Sequence, residues 1–168
     1  MPKITRRRHI AFKVETVEGT AETLAAADAD ILAFDPKVDF DIPQNERNPA
    51  RTTMSQHVGV SGQQSGKVTF RVELRGSGVA ATAPSWGKLI RTCGYGETTT
   101  TKVVYDPIST AIPSGTLGCY FDGIRYVFAG CRGTFKIVGE VGKQVFLEFE
   151  FLGKLSSYND VAMLAPTY

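Results

Sequence analysis

The sequence predicts a mainly β fold of one domain carrying one short helix. Three observations lead there. Residues 67–74 alternate strictly, with Val68, Phe70, Val72 and Leu74 on one side and Lys67, Thr69, Arg71 and Glu73 on the other. Side chains on a strand change face at every residue, so this segment reads as a strand with one buried face. The period then changes: Trp86, Leu89, Ile90 and Cys93 recur at i, i+3, i+4 and i+7, the stripe of an amphipathic helix over 84–93. Pro84 suits its first turn and Gly94 its C-terminal stop. Third, Asp122-Gly123 between two apolar runs signals a two-residue hairpin turn.

The remaining elements follow in chain order. Residues 1–8 form an N-terminal arm with the basic cluster Arg6, Arg7 and Arg8. Over 9–15, Ile10, Phe12 and Val14 alternate with Ala11, Lys13 and Glu15, which predicts a strand ended by a turn at Gly19-Thr20. The alanines of 21–29 favour a short helical turn, interrupted by Asp28 and Asp30. A brief strand at 31–34 is expected to break at Asp35-Pro36, and Val38, Phe40 and Ile42 predict a half-buried strand over 37–42. Residues 43–66 are polar and keep no period. A loop this long between two strands projects as a hairpin-like excursion, well placed to dock on a neighbour. After the helix, 98–101 is β-branched and polar, and 102–105 is a strand ended by Asp106-Pro107. Segments 117–121 and 124–128 flank the Asp-Gly turn, and 133–138 with 144–152 make a second hairpin across 139–142. Residues 154–168 read as an irregular C-terminal tail.

Composition narrows the classes. The chain has 168 residues, 42% hydrophobic and 21% charged, which suits a globular domain with a core. A net charge of +2 gives no general basic field for nucleic acid. No apolar run is long enough to cross a bilayer, and the basic start lacks an apolar segment behind it, so a cytoplasmic origin is expected. Three cysteines include no CxxC pair. With Phe121 opposite Ile124, Cys119 faces Tyr126 and Cys131 faces Ser114, so reduced, buried thiols are expected.

Catalysis needs convergent groups. Both histidines, His9 and His57, lack metal-ligand spacing and read as surface residues. No GxSxG, P-loop or GxGxxG occurs. Glu148 and Glu150 share a strand face, as the two carboxylates of a glycosidase share a site, but no aromatic sugar platform accompanies them. The expectation is a protein that is not an enzyme and needs no cofactor or metal. Along 144–152, Val145, Leu147, Phe149 and Phe151 form an apolar face, while the other carries Phe146, Glu148, Glu150 and Leu152. Like charges stacked on one face repel, and Asp39 with Asp41 repeats the arrangement.

The string ELRGSGVAATAPSWGKLIRTCGY resembles the middle of tail tube proteins from long-tailed bacteriophages and prophages. In those, a strand ending in Gly-Ser-Gly leads through Ala/Thr to APxWGxLLRxCG. The similarity continues in VETVEGTAETLAAADADIL, YFDGIRYVFAGCRGTF and EFEFLG. The resemblance implies a β-sandwich or barrel-like fold with a flanking helix, homohexameric rings stacked into a tube, and one sheet per subunit joining an inner barrel. It also implies a generally acidic lumen through which double-stranded DNA passes. Implied partners are a tape measure protein, a tail terminator and baseplate or tip proteins, in a virion assembled in the host cytoplasm, with no membrane insertion. Under it, Asp39, Asp41, Glu73, Glu148 and Glu150 are candidate lumen charges, although Arg71 and Arg75 share the face of Glu73. The 43–66 segment becomes a stacking loop with Arg47, Arg51, Gln56 and His57 as contacts, joined by Arg6, Arg7 and Arg8; Trp86, Leu89, Ile90 and Cys93 pack the helix. The alternative is a monomeric β-sandwich module binding carbohydrate or protein through 43–66. A tail terminator or injection-tube subunit would share the fold.

Overall fold

The alternation at 67–74 builds an inner strand of a large antiparallel sheet. The computed structural model describes residues 6–166 apart from Met54 and Gln56. Its strands are β1 (Arg8–Val14), β2 (Ala33–Asp41), β3 (Gln44–Asn45), β4 (Val60–Ser61), β5 (Ser65–Glu73), β6 (Tyr95–Thr99), β7 (Val103–Pro107), β8 (Gly115–Phe121), β9 (Ile124–Val138) and β10 (Phe146–Asp160). The helix α1 (Gly87–Arg91) falls between β5 and β6. Six strands pair in the order β1-β8-β9-β10-β5-β2, and β3-β4 and β6-β7 form separate two-stranded ribbons. The fold is mainly β and sandwich-like with one short helix, as the sequence predicts. The large sheet curls until its ends approach: Ile10 bridges to Ile31, and Arg8 reaches Asp35 at 3.3 Å.

The inner face of this curl is the core. Phe12, Phe70, Phe128, Phe149 and Phe151 are buried there with Leu117 and Leu147. Phe70 stacks on Phe149 and Phe151, centroids 5.6 and 5.9 Å apart. The helix closes one side with Leu89 and Ile90 buried, while Trp86 and Cys93 pack on the core from its margin. The indole N–H of Trp86 donates to the Arg75 carbonyl at 2.8 Å, so the ring meets a partner as it leaves water. Gly94 ends the helical segment at φ 91°, the left-handed stop its position predicts. At the far end, a Cβ on Gly66 would lie 2.4 Å from Cε1 of Phe128, so glycine there admits that ring.

Behind β1 and β8 a second cluster joins Ala11, Leu24, Ala29 and Tyr120, with Met163 and Leu164 against it. Consequently β1 is buried on both faces instead of one. His9 is buried too, stacked on Tyr120 at 4.4 Å, which corrects its surface reading. Burial disfavours the imidazolium and lowers the His9 pKa.

Glu15 is the buried acid of this region. Its carboxylate accepts from the Ser114 hydroxyl at 2.5 Å, the Thr116 hydroxyl at 3.0 Å, and the backbone N–H groups of Gly19 and Gly130, each at 2.8 Å. One side chain thus joins the end of β1, the start of β8, a turn and the middle of β9.

Several segments differ from the expectation. Asp35-Pro36 does not break the chain: β2 continues through it by an irregularity between Phe34 and Lys37, with Asp35 at φ 48°. Proline is tolerated on an edge strand or at a bulge, and β2 is the edge. Phe40 and Ile42 are exposed there, as is Leu74 beyond β5. The helical turn expected over 21–29 is a single 3-10 turn at Ala26–Ala29. The β-branched segment 98–101 and the strand 102–105 become the hairpin β6–β7. Segments 124–128 and 133–138 are one continuous strand. β10 runs to Asp160, so the tail expected over 154–168 starts as strand and leaves the sheet only at 161. Arg8 belongs to β1, which shortens the arm expected over 1–8; its residues 1–5 lie outside the described residues. The Asp122-Gly123 turn places Phe121 opposite Ile124 and Cys119 opposite Tyr126 as predicted. A one-residue shift then puts Cys131 opposite Gly115 instead of Ser114.

Candidate assembly surface

The outer face of β9-β10-β5-β2 collects all five predicted carboxylates. Residues paired across strands share a face, and the register sets Glu73 beside Phe146, Glu148 between Arg71 and Lys136, and Glu150 between Thr69 and Thr134. Asp39 stands beside Lys67 and Asp41 beside Ser65 on the same face. The carboxylates are interleaved with bases: Glu148 meets Lys136 and Glu150 meets Lys67, both at 2.7 Å. Asp35, which the sequence marks only as a strand break, accepts from both Arg8 and Arg71. Arg71 also lies over the Phe146 ring, 5.6 Å from its centroid. The like charges stacked along β10 are therefore compensated by the strands on either side. A depression of about 660 Å³ opens on this face, reaching Arg8 at one end and Lys136 at the other. Such a surface presents alternating sign to anything it touches, and its exposed pairs weaken with salt.

The second feature is the excursion between β2 and β5. β3 and β4 pair through Gln44 with Ser61 and Asn45 with Val60, and Gly62 N–H donates to the Pro43 carbonyl at 2.7 Å. This ribbon gives the polar segment its hairpin form. No described residue from 41 to 64 is buried. Arg47 and Arg51 are exposed, and Arg51 Nη2 lies 3.5 Å from His57 Nε2. Val58 is 81% exposed and Val60 41%, apolar groups held in solvent on a segment with no buried side chain among its described residues. Gln56 lies outside the described residues. Of the arginine cluster, Arg6 is exposed, Arg7 pairs with Asp122 at 3.3 Å, and Arg8 turns to Asp35. The predicted contact residues thus divide between the excursion and the start of β1.

The titratable groups show no activated nucleophile among those shifted. Burial pushes the Cys93 and Cys131 thiols up to about 12 and Cys119 higher still. All three are free thiols. At pH 8 roughly one in ten thousand such groups would be thiolate, the reactive form. A chromogenic disulfide reagent at pH 8 is expected to leave all three unreacted in the folded protein and to titrate all three in denaturant. Rapid reaction of the native protein would contradict this. Among the described residues no group of three or more His, Cys, Asp or Glu is arranged to hold a metal ion.

No protein-family model matches the chain, and no curated protein sequence matches it. Among solved structures, it is similar to a chain in "Cryo-EM structure of the anti-feeding prophage (AFP) baseplate, 6-fold symmetrised". That likeness has 6% identity, covers 95% of each chain and gives a TM-score of 0.48. At this level it is a likeness between two chains and says nothing of role.

Proposed function

We propose that this protein is a non-enzymatic structural subunit of a bacteriophage or prophage tail, and specifically the tail tube subunit. Copies would form homohexameric rings stacked around a tape measure protein, between a tail terminator and the baseplate or tip proteins. After release of the tape measure, double-stranded DNA would pass through the channel into the host. The observation that carries this reading is the excursion at 43–64, with none of its described residues buried and with Val58 and Val60 exposed, rising from an edge strand whose outer side has no partner over 37–41 among the described residues. Unpaired edges and unburied apolar groups are hazards to a lone domain, and assembly removes both. The resemblance around APSWGKLIRTCG supplies the kind of assembly.

The wall such a tube would offer to DNA is one of alternating sign. A uniformly basic wall would hold DNA through counterion release. Here the bases that could do so are largely engaged with neighbouring carboxylates, so the surface offers little grip. Negative-stain electron microscopy of the purified chain at rising concentration is expected to show annular or tubular particles. Uniform small globules at every concentration would oppose the reading and favour a monomeric binding module.

A further inference from the structure

Across β9, β10, β5 and β2 the two outer margins carry opposite charge on two of three successive rows. β8 ends opposite Cys131, so residues 132–138 of β9 have β10 on one side and, among the described residues, no strand on the other. β2 is the free margin at the opposite end of this four-strand segment. Every pairing from β9 through β10 and β5 to β2 is antiparallel, so β9 and β2 run in opposite directions. A β2 laid against the open half of another copy's β9 would therefore continue the same antiparallel alternation.

The side chains agree with that fit. One row crosses the sheet as Asp39, Lys67, Leu152 and Arg132, with a carboxylate at the β2 margin and, at the β9 margin, a guanidinium that pairs with Glu18 at 2.8 Å and donates to the Ile112 carbonyl at 2.9 Å while its side chain stays 45% exposed. The following row, Lys37, Thr69, Glu150 and Thr134, sets a lysine at the β2 margin level with a neutral threonine at the other, and the row after it runs through Arg71, Glu148 and Lys136, with Asp35 bonded to Arg71 at the β2 end. Its signs alternate minus, plus, minus, plus, and a second copy beginning with Asp35 would extend the series. Asp39 makes no ion pair among the described residues, while Lys136 is 71% exposed, leaving ammonium hydrogens for a further acceptor.

We infer that the β2 margin of one copy docks antiparallel on residues 132–138 of a second copy, with Asp39 and Asp35 facing the basic Arg132 and Lys136 of that copy. The contact is head-to-tail, using different surfaces on the two partners, and so generates a closed ring or an open filament according to its rotation. This inference rests on the ring reading above and names the seam within it.

Charge exchange tests it. One variant carries Asp35→Lys and Asp39→Lys, the other Arg132→Glu and Lys136→Glu. Each confronts like charges at the seam, and its sedimenting fraction is expected to fall by about tenfold or more while its circular dichroism stays that of a folded β protein. Mixing the two one to one restores assembly, because only unlike neighbours then match. If either variant alone assembles as the unmodified chain does, or the folded mixture fails to assemble, the seam is wrong although rings exist. An unmodified chain that never assembles overturns both this inference and the tube reading. Should a charge variant not fold, a chain with Asp39→Cys and Arg132→Cys is oxidised after assembly. A ladder of linked copies under denaturing conditions is expected, and single copies alone would overturn the seam.

Discussion

Replacing Glu15 by alanine is expected to destabilise the fold by about 3 kcal/mol or more, enough to remove a large share of the stability of an ordinary domain. The carboxylate is buried and serves four donors, two hydroxyls and two backbone N–H groups. Alanine leaves them facing a gap, and each buried donor left without a partner costs about 1–3 kcal/mol unless water enters. Glutamine keeps the shape but turns an amide N–H₂ toward groups that donate, so a loss of about 1–2 kcal/mol is expected. Urea unfolding followed by intrinsic fluorescence measures both. A loss under 1 kcal/mol for Glu15→Ala would show that water replaces the carboxylate and that the network holds little together.

The excursion gives the opposite pattern. Replacing 46–59 by a two-residue Asn-Gly turn, which joins the paired ends of β3 and β4, should leave the urea midpoint nearly unchanged. No residue described in that segment is buried, and shortening a loop closure from fourteen residues to two changes its entropy by only about 1–2 kcal/mol, in the favourable direction. Assembly, by contrast, should be lost altogether, read as the absence of sedimenting material at concentrations where the unmodified chain forms tubes. A folded, shortened chain that still builds normal tubes would remove the excursion from the contact and leave the exposed Val58 unexplained.

What could be read from the residues was mostly local. Alternation placed β5 with Val68, Phe70 and Val72 inward, and Asp122-Gly123 fixed the hairpin register at its tip. Parity alone put Glu148 and Glu150 on one face. The bases between them belong to other strands, so the compensation by Lys67 and Lys136 depended on a strand order that no local pattern reveals. The early end assigned to β10 has a definite cause. Register shifts between Leu152 and Lys154, and again between Leu155 and Ser157, each disturb the alternation, so the run past 152 loses its period while remaining strand. The misplaced partner of Cys131 is similar. The shift between Gly115 and Leu117 lies near Gly130, at φ 66°, whose N–H goes to Glu15 across 115 residues of sequence. A bond that distant leaves no trace in neighbouring letters. His9 reads as exposed in the sequence because the ring that covers it, Tyr120, lies on β8, far along the chain.

β9 spans 15 residues, bonded on both sides as far as Cys131 and on one side beyond it. A strand that serves two different neighbours along its length cannot gain or lose a residue in its first half without turning the second half inside out. Across descendants of this chain, insertions should therefore gather in the turn at 139–145 and in the excursion at 46–59. The distance from the Asp-Gly tip to Val138 should stay constant while its letters drift, leaving a fixed ruler in an otherwise changing text.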